Sequence, residues 1–283
     1  MKRLFLITTT VLLFFTACKK REGCTDISAI NYNTTADHDD GSCLYSGCTD
    51  LTATNYNSNA TNDDGSCHYS LRVNFTHTVD GNPLVLNQMT YKNEAEEDYS
   101  VQTLRYLISD IMLHSDNETH AMLDEVHFVT ISDTSTLKLI IEDLENINYS
   151  AISFTMGLDS LKNITNNYLN ESFFPSFTWP LSMGGGYHYM QLEGDYIDNL
   201  QGYATHTGGT NGKDFSFSKN FPFTMNINSI NTTIEINMEI NNWYSNPNTI
   251  NFTTDGIMDD ANKQTLIQAN GIADVFSVNV SYE

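Results

Sequence analysis

The chain has 283 residues, 13 Lys and Arg against 35 Asp and Glu, and a formal charge of −22. That imbalance excludes a protein that coats a phosphate backbone, because nucleic-acid affinity comes from cations displaced around Lys and Arg patches. Five prolines and 40% hydrophobic residues exclude wholesale disorder, and the length admits one or two sizeable cores.

The amino terminus reads as an address. Met1-Lys2-Arg3 is a short basic region, and Leu4 to Phe15 is apolar apart from Thr8 to Thr10. The stretch is shorter than the roughly 20 apolar residues of a spanning helix, so residues 1–17 are expected to be a signal peptide. Phe15-Thr16-Ala17-Cys18 resembles a bacterial lipobox, in which the cysteine sulfur takes a diacylglycerol. The other reading is an ordinary leader with an incidental cysteine. With lipidation at Cys18, residues 18–22 become anchor and linker, and the protein a lipoprotein of the bacterial cell envelope, held to the outer membrane. Losing Lys2 and Arg3 with the leader takes the charge from −22 to −24.

The other four cysteines fall into a repeat. Gly23-Cys24-Thr25-Asp26 opens a unit that closes on Asp39-Asp40-Gly41-Ser42-Cys43; Gly47-Cys48-Thr49-Asp50 opens one closing on Asp63-Asp64-Gly65-Ser66-Cys67. The units span 23–46 and 47–70, a period of 24 residues with 19 between paired cysteines. Four cysteines allow three pairings, and repetition favours Cys24–Cys43 and Cys48–Cys67, one closure per copy. So short a unit needs a cross-link to fold, and neither copy has the CxxC knuckle of a zinc site. Asp37, Asp39 and Asp40 offer oxygen ligands of the kind calcium takes. The second copy has only Asn62, Asp63 and Asp64, and neither continues to an EF-hand glutamate, so a solvated acidic turn is the competing reading. The units resemble tandem Gly-Cys-Thr-Asp…Asp-Asp-Gly-Ser-Cys repeats on surface proteins of Bacteroidetes-type bacteria, which implies a spacer.

Residues 71–283 read as one β-rich domain. Leu71, Val73, Phe75, His77 and Val79 alternate with polar neighbours, the signature of a half-buried strand. Further strands are expected at Thr103–Leu113, Val126–Ser132, Leu137–Ile141, Ser150–Met156 and Tyr187–Leu192. Phe215–Ser218, Phe221–Ile227, Thr232–Ile240 and Ser277–Tyr282 complete the set. Helices are expected at Asp259–Asn270, ended by Gly271, and at Asp159–Tyr168. The fold class is therefore all-β, an antiparallel β-sandwich with a short C-terminal helix behind small disulfide-stapled repeats.

No Gly-x-Ser-x-Gly elbow, His-Glu-x-x-His helix or Walker loop is present, and no carboxylate pair stands out, so no enzymatic activity is expected. The segment Trp179-Pro-Leu-Ser-Met183-Gly-Gly-Gly-Tyr187-His188-Tyr-Met190-Gln-Leu-Glu193-Gly194 is the most unusual in the chain. On a regular strand His188, Met190 and Leu192 share one face, and three glycines let backbone approach backbone or ligand. His206 stands at an expected turn, and His77 on the apolar face of its strand. Imidazole with thioether suits copper better than magnesium or calcium. Each of these histidines also reads as a hydrogen-bonded structural residue. His38, His68, His114, His120 and His127 have weaker settings and are read as structural.

Leu104-Arg105-Tyr106-Leu107-Ile108-Ser109-Asp110-Ile111-Met112-Leu113, Ile152 to Leu158, Trp179-Pro180, Gly185-Gly186-Tyr187 and Asp274 to Val278 occur in an order that resembles the MbnP-like family of copper-associated periplasmic and surface proteins. The resemblance spans nearly all of 71–283. It implies a mononuclear copper site without hydrolytic chemistry, and in some members a tryptophan oxidised by a partner di-haem enzyme. On that basis His188 and His206 are the preferred ligands and His77 the third, with Met190 or Met183 as a weak axial thioether. Trp179 is the candidate for oxidation, although the large domain lacks the cysteines and the Trp-x-Trp of the methanotroph-type pattern. The resemblance thus implies copper capture or storage. The reading from another class is a metal-free adhesion or glycan-binding domain with Trp179, Tyr187 and Tyr189 as a stacking platform.

Overall fold

A computed structural model describes residues 19–116, 120–197, 200–227, 232–252 and 256–282. The expected leader over 1–17 and Cys18 lie outside these residues. The chain divides into two units, one comprising Met1–Thr49 with Asn57–Gly65 and the other Asp50–Tyr56 with Ser66–Glu283.

In the first unit the Cys24–Cys43 disulfide closes a 19-residue separation, as the repeat predicts. Cys48 and Cys67 are disulfide-bonded as well. Asn31 ties its own turn to the closing segment, donating to the Ser42 carbonyl and accepting from Leu44 N–H. The carboxylates weighed for calcium serve the turns: Asp37 pairs with Arg21, Asp39 accepts from Gly41 N–H and Asp40 from Ser42 N–H.

Residues 50–56 belong to the large unit, where Thr54 N–H reaches the His68 carbonyl and the Tyr69 hydroxyl donates to Asp50. These bonds attach the segment to β1, His68–Val79, the first long strand.

Two curled sheets make the large unit a sandwich. Its other strands are β2 Thr103–Ser115, β3 His120–Thr130, β4 Lys138–Glu145, β5 Asn148–Met156, β6 His188–Tyr196, β7 Gln201–Gly208, β8 Phe217–Asn226, β9 Thr232–Glu239 and β10 Phe276–Tyr282. The larger sheet runs β8-β5-β2-β6 and on to two short strands, with β3 beside β2 and β7 beside β6. The smaller runs β10-β9-β1, with β4 on the other side of β1. All long pairings are antiparallel except β9 with β1, which is parallel. The alternating apolar residues of β1 and β9 fill the interior: Val73, Phe75, Ile234 and Ile236 are buried. Facing them, β2 contributes Leu104, Tyr106 and Ile108.

Several expectations change. The two runs expected around 215–227 form one strand, β8; Pro222 is tolerated because β8 ends its sheet. β3 begins at His120 rather than Val126. The helix expected at Asp159–Tyr168 is a series of turns. Asp159 caps Leu161 and Lys162 N–H, Asn166 takes φ +67°, and Asn163 and Thr165 spend their side chains on Tyr187 and Gly186 N–H. The C-terminal helix, α1 Ala261–Ala273, starts from an Asp260 cap and runs past Gly271 instead of ending there. A Cβ on Gly271 would lie 2.5 Å from Phe217 and 2.6 Å from Trp243, so this glycine permits close packing.

Candidate metal centre

β6 carries a bulge that decides which side chains meet. His188 pairs with Gly208 and Met190 with Thr207, so one residue more is used on β6 than on β7. Beyond it Gln191 faces His206 and Glu193 faces Ala204. Because Gly208, His206 and Ala204 share one face of β7, their partners His188, Gln191 and Glu193 share one face of β6. Met190, opposite Tyr106 on β2, falls on the other face, toward the interior. The expected common face of His188 and Met190 is thereby overturned. His206, expected at a turn, lies within β7.

His188 and His206 are brought together, ring centroids 5.1 Å apart and planes at 84°. His77 is not with them. It lies across the interior, its Nε2 3.0 Å from the Tyr106 hydroxyl. Met183 sits in a short turn of 3-10 helix after Pro180.

Each imidazole of the pair is held by one ring nitrogen. His188 Nδ1 lies 3.1 Å from the Phe177 carbonyl, so Nδ1–H donates there and Nε2 keeps its lone pair. That Nε2 is buried without a hydrogen-bond partner. His206 Nε2 is 2.7 Å from Glu193 Oε1, so Nε2–H donates to the carboxylate and Nδ1 keeps its lone pair. A metal-ligating histidine is commonly oriented in this way, by a carbonyl or carboxylate on its other nitrogen. Burial pushes His188 down to about 4, so it is neutral and ligand-ready at ordinary pH. The His206 hydrogen bond holds the Glu193 carboxyl below its usual range.

The walls are equally defined. Trp179 stands edge-on to His188 at 4.8 Å, its ring lying over Gly208, where a Cβ would come within 2.6 Å of the indole. Arg105, opposite Gln191 on β2, reaches over the Phe177 ring at 5.8 Å. Gln264 of α1 clamps β7, donating to the His206 carbonyl at 2.8 Å and accepting from Gly208 N–H. Gly185 and Gly186, at φ +72° and +86°, press against Thr165 and Asn163, which hold the loop carrying Trp179. On its solvent side His206 lines a cleft of about 400 Å³ with Tyr203, Phe252 and Met258.

Four buried polar atoms here lack partners: His188 Nε2, Trp179 Nε1, Gln191 Oε1 and Arg105 Nε. Native interiors leave few such atoms, each costing about 1–3 kcal/mol, and four on one sheet face mark a place for a ligand. Among the described residues no group of three or more His, Cys, Asp or Glu is arranged to hold a metal ion. The protein therefore offers two imidazoles, one of them oriented by the Glu193 carboxylate, a donor set that fits copper better than a hard cation. Trp179, Tyr187 and Tyr189 are 2%, 0% and 1% exposed, so the stacking platform weighed for glycans is not formed. Glu193, Gln191 and Gln264 escaped the sequence reading. For Gln191 and Glu193 a signal exists in the His-x-x-Gln-x-Glu spacing, which makes one face once a bulge is allowed; Gln264, on α1, has none.

The sequence model of a family described as MbnP matches residues 68–265. A structural comparison finds MbnP from Methylosinus trichosporium at a TM-score of 0.50 and 11% identity, covering 75% of this chain and 99% of that one. A comparison with curated proteins returns no match.

Proposed function

The chain belongs to the MbnP family, which is linked to copper, and from that premise we propose that its large unit binds one copper ion between His188 and His206. The observation carrying this is the buried, partnerless Nε2 of His188 beside an imidazole that Glu193 orients. Two neutral nitrogens suffice for copper(I), whose filled d shell imposes no higher coordination, and the Gln191 oxygen is at hand on the same face. Copper would bring thiophilic, redox-active character; the protein supplies orientation, burial and the cleft leading to His206. As part of the same proposal, the leader and Cys18 export and anchor the protein at the bacterial envelope, the disulfide-bonded segment acts as a spacer, and the role is copper capture or storage rather than catalysis.

The test is copper analysis of the full mature chain after anaerobic loading, for wild type and His188→Ala/His206→Ala. The double variant is expected to lose one equivalent. Unchanged uptake would remove these ligands from the proposal. Tandem mass spectrometry of the peptide carrying Trp179 from the same preparations reads whether that tryptophan is oxidised.

A further inference from the structure

A different set of soft donors lies at the hairpin end of β2 and β3. There the strands keep an unbroken antiparallel register that pairs Met112 with Met122 and His114 with His120. Residues two apart on a strand share a face, so the four side chains form a two-by-two patch. The face is the outer one. Leu113, between Met112 and His114, is fully buried, whereas Met122 is 51% exposed and His120 is exposed. Directly opposed residues hold their Cβ atoms about 4.5–5.5 Å apart and diagonal ones about 7–8 Å, within the span of imidazole and thioether arms.

The two imidazoles already face each other through nitrogen. His114 Nδ1 and His120 Nδ1 are 3.1 Å apart, with ring planes at 73°. On its far side His114 Nε2 lies 2.6 Å from the hydroxyl of Ser153 on β5. With Nε2–H donating to Ser153, the Nδ1 lone pair of His114 points at His120. One cation about 2.0–2.1 Å from each nitrogen fits a 3.1 Å separation at an angle of roughly 100°, an ordinary ligand angle. A simple hydrogen bond between imidazoles would account for the nitrogens but leaves the second cross-strand pair, two thioethers in register, without a reason.

We propose that Met112, His114, His120 and Met122 form a second metal site, selective for a soft monovalent cation, copper(I). Two thioethers and two imidazoles are all neutral donors; magnesium and calcium require oxygen, and structural zinc prefers thiolate or carboxylate charge. The site shares no residue with the His188–His206 pair and does not depend on it.

The experiment is anaerobic copper(I) titration of the full mature chain against a chromophoric copper(I) chelator. The background is His188→Ala/His206→Ala, which removes the first pair. This chain is expected to retain one equivalent, and its copper X-ray absorption to contain a sulfur shell. Adding Met112→Leu/Met122→Leu removes that shell and weakens binding at least tenfold; adding His114→Ala/His120→Ala abolishes binding. Leucine keeps the methionine volume, so the methionine arm tests ligation without disturbing the fold. A His188→Ala/His206→Ala chain that binds no copper(I), or binds it without sulfur, overturns the second site. Equal uptake by that chain and wild type would instead sink the first site, so the two failures are told apart.

Discussion

Burial pushes His77 from an ordinary 6.5 down to about 4, and this ties the stability of the large unit to acid. The imidazole sits between the sheets against the Tyr106 hydroxyl, where burial alone disfavours its protonated form. In the unfolded chain it takes a proton as pH drops through 6.5; in the folded chain it resists until about 4. The unfolded state therefore binds more protons throughout that window. Stability is full above 6.5 and is lost as pH falls toward 4. A shift of roughly 2.5 units corresponds to about 3 kcal/mol. The perturbation is His77→Gln, which keeps a polar partner for Tyr106 but cannot titrate. Urea unfolding of metal-free protein at pH 7.5, 6, 5 and 4.5, followed by tyrosine and tryptophan fluorescence, gives the stability of each. Carboxylates and His188 titrate in both proteins, so the readout is the difference between them. Wild type should fall relative to the variant by about 2–3 kcal/mol between pH 7 and 4.5. Parallel curves would refute the burial argument.

Two other outcomes follow from the structure. Glu193→Gln replaces the carboxylate that orients His206 while leaving both imidazoles present. Copper affinity should weaken by about 10- to 100-fold with the thermal midpoint little changed, as read by chelator competition and a melt; an unaltered dissociation constant would show that the orientation is irrelevant. Cys24→Ser/Cys43→Ser opens a 19-residue closure, worth about 3 kcal/mol of loop entropy to a unit with almost no core. Limited proteolysis should then cut within residues 19–49 while the large unit stays intact, and resistance equal to wild type would contradict the staple's role.

Legibility in the sequence tracked how directly each residue answered to burial. β1 and β9 were readable because one face of each is apolar and the other polar, and Leu71, Val73, Phe75, Ile234 and Ile236 are buried as their alternation demands. β7 was invisible to the same test. Its inward side chains include Thr205 and Thr207, buried polar residues that hide the alternation; Thr205 is satisfied by the Tyr244 hydroxyl. The expected helix at 159–168 failed because Asn163 and Thr165 bond distant backbone, which local propensity does not record. At the site, residue types were legible and their faces were not. The chemistry of His188 and His206 points to them, but a bulge moves Met190 away and brings Glu193 in. His114 and His120 each look ordinary alone, and only the register of β2 against β3 joins them to two methionines.

The bulge at His188 also bears on how relatives of this chain are compared. It acts as a phase shifter, letting one strand show its even residues to the interior and its odd ones to the cleft, with a single exception at its start. Loss of the bulge at unchanged length would restore strict alternation and carry the imidazole into the opposite compartment, whereas a one-residue deletion between His188 and Gln191 would leave it facing the cleft. Histidines in aligned columns are therefore equivalent only where the bulge is kept with them.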